Sequence, residues 1–116
     1  RTYFMRDGVL QIPASVTPWI RFPMFWLALH NLPLWLYKAF ARRTVSNDGY
    51  LSTYFHPWEF YPLGEHPEFK VGFVSRNHAG KEMERRLDSV IKMFKERGEE
   101  FTTYSDFARR KIHELK

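Results

Sequence analysis

Cysteine is absent from the 116 residues of this chain. Its absence excludes a disulfide scaffold, a thiolate metal site and a cysteine nucleophile, and it leaves the redox compartment open. The sequence also has no glycine-rich phosphate loop and no Gly-x-Ser-x-Gly elbow. None of its five histidines stands three or four positions from another, so there is no helical zinc-binding pair. The chain therefore carries no complete motif for metal or nucleophilic catalysis.

A strong excess of one charge is also missing. Eighteen basic residues against thirteen acidic ones give a net charge of +5. Between residues 81 and 97 the two signs alternate, which is typical of a solvated helix face, and the densest basic run is confined to 109–111. Because no nucleic-acid-binding module is recognisable, a nucleic-acid partner is not expected.

Residues 22–40 form the longest apolar stretch, and its length is close to that of a membrane span. Prolines and polar side chains break it: Pro23, His30, Asn31, Pro33 and Lys38. The pattern therefore predicts two short buried helices at 24–30 and 33–43, with Pro33 in the first turn of the second. An interfacial helix pair resting on a membrane surface is the less favoured alternative.

Three strands and a long helix are predicted in the rest of the chain. Strands are expected at 8–12, 50–56 and 101–104, with a turn at 46–49 and a long loop at 57–77 that includes a short extended piece at 69–74. The helix at 81–97 has one apolar stripe, followed by Gly98 as a left-handed cap. A closing helix is expected after Ser105 as its N-cap. The stripe consists of Met83, Leu87, Val90, Ile91 and Phe94.

Strands that alternate with helices favour an α/β fold with a parallel sheet, covered by the helix at 81–97. Three strands are too few to close a barrel, and their open edges would invite association. Residues 1–116 are therefore expected to be a single-domain piece whose remaining strands lie upstream. A chain that lacks only its initiator methionine is the alternative, since the first residue is Arg1.

His56 is the strongest candidate for chemistry among the histidines. It ends the predicted strand at 50–56, and that edge of an α/β sheet is where catalytic groups stand. Pro57 restricts His56 to extended backbone conformations. A structural histidine under a loop is the alternative. His30 is expected at a helix end. The other three histidines are expected at surface positions: His66, His78 and His113.

The order of these segments resembles the C-terminal part of the polysaccharide deacetylases, the family 4 carbohydrate esterases. The resemblance covers nearly the whole chain and rests on "GVLQIPASVTPWIRFP", "GYLSTYFHPWEF" and "KERGEEFTTYSDF", of which "YFHPWEF" is the most specific. It implies a distorted (β/α) barrel that removes acetyl groups from N-acetylated sugars with a divalent metal, often zinc. It also implies that His56 protonates the leaving amine or steadies the tetrahedral intermediate. Trp58, Trp19 and Tyr61 are the expected sugar contacts.

Several of the family's motifs have no counterpart here. The acidic pair, the two metal-binding histidines and the acid expected near "PASVTPW" are all missing. The metal ligands are therefore expected outside this chain, and the chain alone is expected to be inactive. Its expected partners are an acetylated polysaccharide and the upstream part of the same domain, in the cytoplasm or the cell envelope. The alternatives are a non-catalytic carbohydrate-binding or scaffold piece and a membrane-surface module.

Overall fold

The structure, a computed structural model, describes residues 3–115. Within these residues, two short strands are followed by five helices, and four single 3-10 turns lie between 57 and 115. The strands and helices are β1 (Phe4–Arg6), β2 (Val9–Gln11), α1 (Trp26–Asn31), α2 (Leu34–Asp48), α3 (Phe73–Arg76), α4 (Lys81–Glu96) and α5 (Tyr104–Ile112). The 3-10 turns are Pro57–Phe60, Leu63–Glu65, Pro67–Phe69 and His113–Leu115.

Strands β1 and β2 form an antiparallel hairpin, in which Met5 pairs with Leu10. The two residues between them, Asp7 and Gly8, have φ values of +50° and +78°. A two-residue loop with positive φ at both positions matches the right-handed twist of paired strands. The strand predicted at 8–12 therefore exists in part, but its partner is the preceding strand and not a parallel one.

The other two predicted strands are wrong. Within the described residues, the segment 50–56 joins no sheet. It is bonded to another part of the chain by a backbone hydrogen bond of 2.7 Å, which Ser15 N–H donates to Ser52 C=O. Residues 101–103 are irregular and lead directly into α5. Aromatic and β-branched residues favour a strand only where a partner strand is present to pair with. A three-stranded parallel sheet is thus absent from residues 3–115, and membership of a larger barrel stays a prediction.

Helices α1 and α2 occupy the apolar stretch as predicted, but Pro33, which was expected in the first turn of α2, is its N-cap. Helix α2 is longer than predicted because it continues through Ser46, Asn47 and Asp48, which were expected to form a turn. It ends at Gly49, whose φ of +83° lets its N–H bond to Val45 C=O at 2.8 Å. No helix within residues 3–115 has the length and apolar character needed to cross a membrane.

Helix α4 confirms the predicted helix and its cap. Gly98 has φ +77°, its N–H bonds to Lys95 C=O, and Glu99 N–H bonds to Phe94 C=O, each at 3.0 Å. These two bonds close a Schellman motif, which satisfies the last carbonyls of the helix. Met83, Val90 and Phe94 of the predicted stripe pack with residues of α1 and α2, and not against a sheet. The buried core contains Met24, Ala28, Leu29, Tyr37, Ala41, Met83, Val90 and Phe94.

Two predictions in the second half of the chain need correction. The N-cap of α5 is Thr103, whose hydroxyl accepts the N–H of Asp106 at 3.1 Å, while Ser105 lies inside the helix. The piece expected to be extended at 69–74 instead runs from a 3-10 turn into α3. Threonine is a good N-cap because its side-chain oxygen satisfies a free helical donor, and that local bond decides where the helix begins.

The core predicts a specific loss of stability at alkaline pH. Burial raises the pKa of the Tyr37 phenol from 10.0 to about 12, an effect that the Thr53 hydroxyl partly offsets. Below pH 10 both the folded and the unfolded states keep the proton. Above pH 10 the unfolded state releases it first, so the free energy of unfolding should fall by roughly 2–3 kcal/mol by pH 12.

Chemical denaturation at pH 8 to 12 measures this loss, and Tyr37→Phe is the matched control because it keeps the ring and removes the ionisable group. The variant should lose less stability over the same range. An equal loss in both proteins would mean that Tyr37 ionises as readily in the folded state as in the unfolded state.

Candidate functional site

The 3-10 turn Pro57–Phe60 exposes its first two side chains and buries the third. His56 immediately precedes it with φ −116° and ψ 147°, the extended conformation predicted for a residue before proline. Glu59 N–H bonds back to His56 C=O at 3.1 Å. Because a 3-10 turn repeats every three residues, His56 and Glu59 lie on the same side of the turn. Pro57 and Trp58 lie toward solvent, whereas Glu59 is buried.

The Glu59 carboxylate lies between two imidazoles. Its side chain has no exposed surface, and its Oε1 lies 2.9 Å from Nε2 of His30, which is equally buried. Its Oε2 lies 3.0 Å from Nδ1 of His56 and also accepts the backbone N–H of His56. The carboxylate is thus hydrogen-bonded through both oxygens, as a buried charge requires.

Helix α1 supplies His30, and the position of its ring fixes one proton. His30 Nδ1 lies 2.6 Å from the main-chain carbonyl of Asn77. A carbonyl oxygen can only accept, so Nδ1 carries a hydrogen and donates it. The contact between Nε2 and Glu59 then also needs a hydrogen, which is held either by Nε2 in an imidazolium–carboxylate pair or by Glu59 in a neutral pair. His30 was expected at a helix end among the last carbonyls, but its ring bonds to groups from two other segments.

The main chain of α1 is held by side chains from the segments packed against it. Arg86 of α4 donates its Nε–H to Leu29 C=O at 2.8 Å and bonds Leu32 C=O through a second nitrogen. His78 donates to His30 C=O at 2.6 Å. A six-residue helix is not stable alone, so these bonds are what fix the position of the His30 ring. Burial lowers the pKa of the Arg86 guanidinium, an effect that Glu82 partly offsets.

Aromatic rings surround His56 at the surface. Its ring stacks on Trp58 with centroids 5.3 Å apart and meets Trp26 and Tyr54 edge-on at 5.4 and 5.7 Å. The His56 side chain is 40% exposed. Its second ring nitrogen, Nε2, has no hydrogen-bond partner among residues 3–115. His56 therefore offers an accessible nitrogen on a ring whose other nitrogen is held by a carboxylate.

The predicted sugar contacts do not form one cluster. Trp58 lies against His56 and is 38% exposed. Tyr61 instead stacks on His66, with centroids 5.2 Å apart. Trp19 is 90% exposed at the tip of the loop between Thr17 and Phe22, and no ring of residues 3–115 packs on it.

Sequence reasoning missed the contributions of Trp26 and His30. These two residues are four positions apart and share one face of α1, and their ring centroids lie 5.7 Å apart. The spacing was visible in the sequence, but nothing in it indicated that this face meets the turn after His56. The sequence likewise indicated no chemical step for Glu59.

The described residues do not supply a ligand set for the divalent metal that the family resemblance implies. No three histidine, aspartate or glutamate side chains within residues 3–115 converge as ligands on one point. Both oxygens of Glu59 and both ring nitrogens of His30 already have partners. Neither side chain can bind a cation without breaking these bonds, so the residues present do not fit a metal centre.

Comparisons with known proteins return no match for this chain among family models, curated proteins or solved structures. The interpretation of the site therefore depends on its geometry and on the residues named above.

Isolated residues 1–116 should retain no zinc and release no acetate from acetylated chito-oligosaccharides, because the chain lacks the acidic pair and the histidine pair. Metal content after dialysis against a mild chelator, together with an acetate assay, tests this expectation. Retention of one zinc per chain would show that the wrong groups were considered as ligands.

Gly80 supports the 3-10 turn Pro57–Phe60 through its main chain. Its N–H bonds to Glu59 C=O at 2.9 Å, and a Cβ at this position would lie 3.1 Å from the Cα of Pro62. Its φ is +89°. Gly98 has a similar φ of +77°, but a Cβ there would meet nothing within 4 Å. Both glycines have a positive φ, but the ψ of Gly80 is −140°, close to a backbone region open essentially to glycine alone, and the space around Gly80 is also tighter.

Gly98→Ala should cost about 1–2 kcal/mol of unfolding free energy because of its left-handed backbone. Gly80→Ala should cost a further ~1–3 kcal/mol because its backbone region disfavours any side chain and the methyl group also crowds the Pro62 backbone. Urea denaturation of both variants measures the difference. Equal costs would mean that the chain at Gly80 and Pro62 adjusts freely to a side chain.

Proposed function

We propose that this chain forms the C-terminal part of a metal-dependent polysaccharide deacetylase and that His56 is the acid–base residue of its site. The observation that supports this proposal is the half-exposed His56 ring. Its Nδ1 lies 3.0 Å from the buried Glu59 carboxylate, and the rings of Trp58, Trp26 and Tyr54 border it.

Hydrolysis of an N-acetyl group needs a proton donor at the nitrogen. The tetrahedral intermediate can expel the amine only if that nitrogen is protonated as the carbon–nitrogen bond breaks. In the proposed step, His56 Nε2–H donates this proton. The positive charge of the imidazole before transfer is stabilised by Glu59, which also holds the ring in place through Nδ1.

The surroundings of His56 support a sugar as the substrate. Trp58 and Tyr54 are 38% and 44% exposed and lie next to the imidazole. Flat rings of this kind contact the apolar faces of pyranose rings, and their polar atoms remain available to water. Trp19 and Tyr61 stay predicted contacts outside this cluster. The metal and the activated water of the proposed reaction are assigned to the upstream part of the domain.

In the complete protein, His56→Ala should lower kcat by about 10²–10⁴-fold with little change in KM, because a proton donor acts in the transition state. Acetate release from N-acetylated chito-oligosaccharides measures this effect. The variant should still fold, since the backbone N–H of residue 56 keeps a bond to Oε2 of Glu59 after the ring is removed.

His66→Ala is the matched control. His66 also has its Nδ1 2.9 Å from a carboxylate, that of Glu68, is also stacked on an aromatic ring, and is similarly exposed, at 33%. Its loss should leave kcat unchanged. If His56→Ala turns over normally and changes only KM, the site is a carbohydrate-binding surface. If it melts much lower and its folded fraction turns over normally, His56 is a structural histidine.

A further inference from the structure

We propose that buried His30 is a positioning residue for His56 and acts through Glu59. The three side chains form a continuous hydrogen-bonded row from the core to the surface. His30 and Glu59 have no exposed side-chain surface, whereas His56 is 40% exposed. His56 is therefore the member of the row that is open to solvent within residues 3–115.

The hydrogen bonds determine how charge is distributed along the row. Asn77 C=O fixes a hydrogen on His30 Nδ1, and a second hydrogen lies between His30 Nε2 and Glu59 Oε1. Two further donors from His56 meet Oε2, which favours the carboxylate over the acid. In the proposed row a His30 imidazolium and the ring and backbone N–H of His56 all donate to a Glu59 carboxylate.

This distribution gives His30 a definite effect on His56. With His30 charged, the negative charge of Glu59 is already balanced, so Glu59 aligns the His56 ring without holding its proton too strongly. If His30 carried no positive charge, the buried Glu59 carboxylate would interact with His56 alone. The His56 ring would then keep its proton to higher pH.

The other titratable groups near the row do not compete for this role. His78 and Arg86 bond to main-chain carbonyls of α1, those of His30, Leu29 and Leu32. The phenol of Tyr54 belongs to a ring that meets His56 edge-on. Among the titratable side chains of residues 3–115, only His30 and His56 are hydrogen-bonded to the Glu59 carboxylate.

Two variants should shift the titration of His56 in opposite directions. His30→Gln keeps an N–H near the position of Nε2 but removes the positive charge, so the titration midpoint of the His56 ring should rise by about one pH unit. Glu59→Gln removes the negative charge, so that midpoint should fall by about one pH unit. Proton NMR of the imidazole C–H signals in the 116-residue chain measures both shifts. Glu68→Gln is the control and should leave the His56 signal unchanged.

A purely structural role of the row would give no shift, or two shifts in the same direction, and either result would overturn the proposal. If a variant fails to fold, nitrogen-15 NMR of the unmodified chain decides instead. At neutral pH both ring nitrogens of His30 should carry protons, and an unprotonated Nε2 would contradict the proposed charge distribution.

The kinetic consequence rests on the proposed function, whereas the NMR measurement does not. In the complete protein, the alkaline limb of the kcat profile should move up in His30→Gln and down in Glu59→Gln, each by about one pH unit. Normal turnover in His56→Ala would refute the deacetylase proposal and leave the NMR result standing. An inactive His56→Ala combined with unshifted profiles in the other two variants would refute only the role of His30.

Discussion

The buried carboxylate of Glu59 is the constraint on which the arrangement of this chain depends. An ionised carboxylate without exposed surface costs several kcal/mol unless its oxygens are paired. The pairing comes from His30 on one side and from the ring and backbone N–H of His56 on the other. Because these partners are 29 and three residues away in sequence, the carboxylate ties α1 to the turn after His56.

Helix α1 has only six residues, and side chains from other segments hold it in a defined place. Helix α1 has no side-chain N-cap and no acidic residue in its first turn. Its carbonyls are instead met by Arg86 and His78, and Asn31 bonds to Val74 C=O at 2.8 Å. These bonds come from α4 and from the segment around α3. The helix therefore depends on tertiary contacts for its stability and in turn positions His30 and Trp26 beside the turn.

Two histidine–carboxylate pairs in this chain have nearly the same distance but differ in burial, and burial changes the strength of their electrostatic interaction. His56 and Glu59 lie 3.0 Å apart and His66 and Glu68 lie 2.9 Å apart. Glu68 is 61% exposed, so water screens its charge, whereas Glu59 is inaccessible. Coulomb attraction strengthens as the local dielectric falls, and exposed pairs contribute little. The carboxylate near His56 can therefore influence its protonation far more than the one near His66.

Local signals in the sequence determined helix α4, its glycine cap and the extended backbone of His56, because each depends on residues close in the chain. The hairpin at Asp7-Gly8 also depends on residues close in the chain, but it was not predicted. The patterns at 50–56 and 101–104 were misleading because a strand forms only where it pairs with another strand. In addition, the side chain of Thr103 caps α5. Only the tertiary structure decided the surroundings of His30. Its partners, Glu59 and the Asn77 carbonyl, are distant in sequence, and burial among them makes a helix-end histidine part of a hydrogen-bonded row.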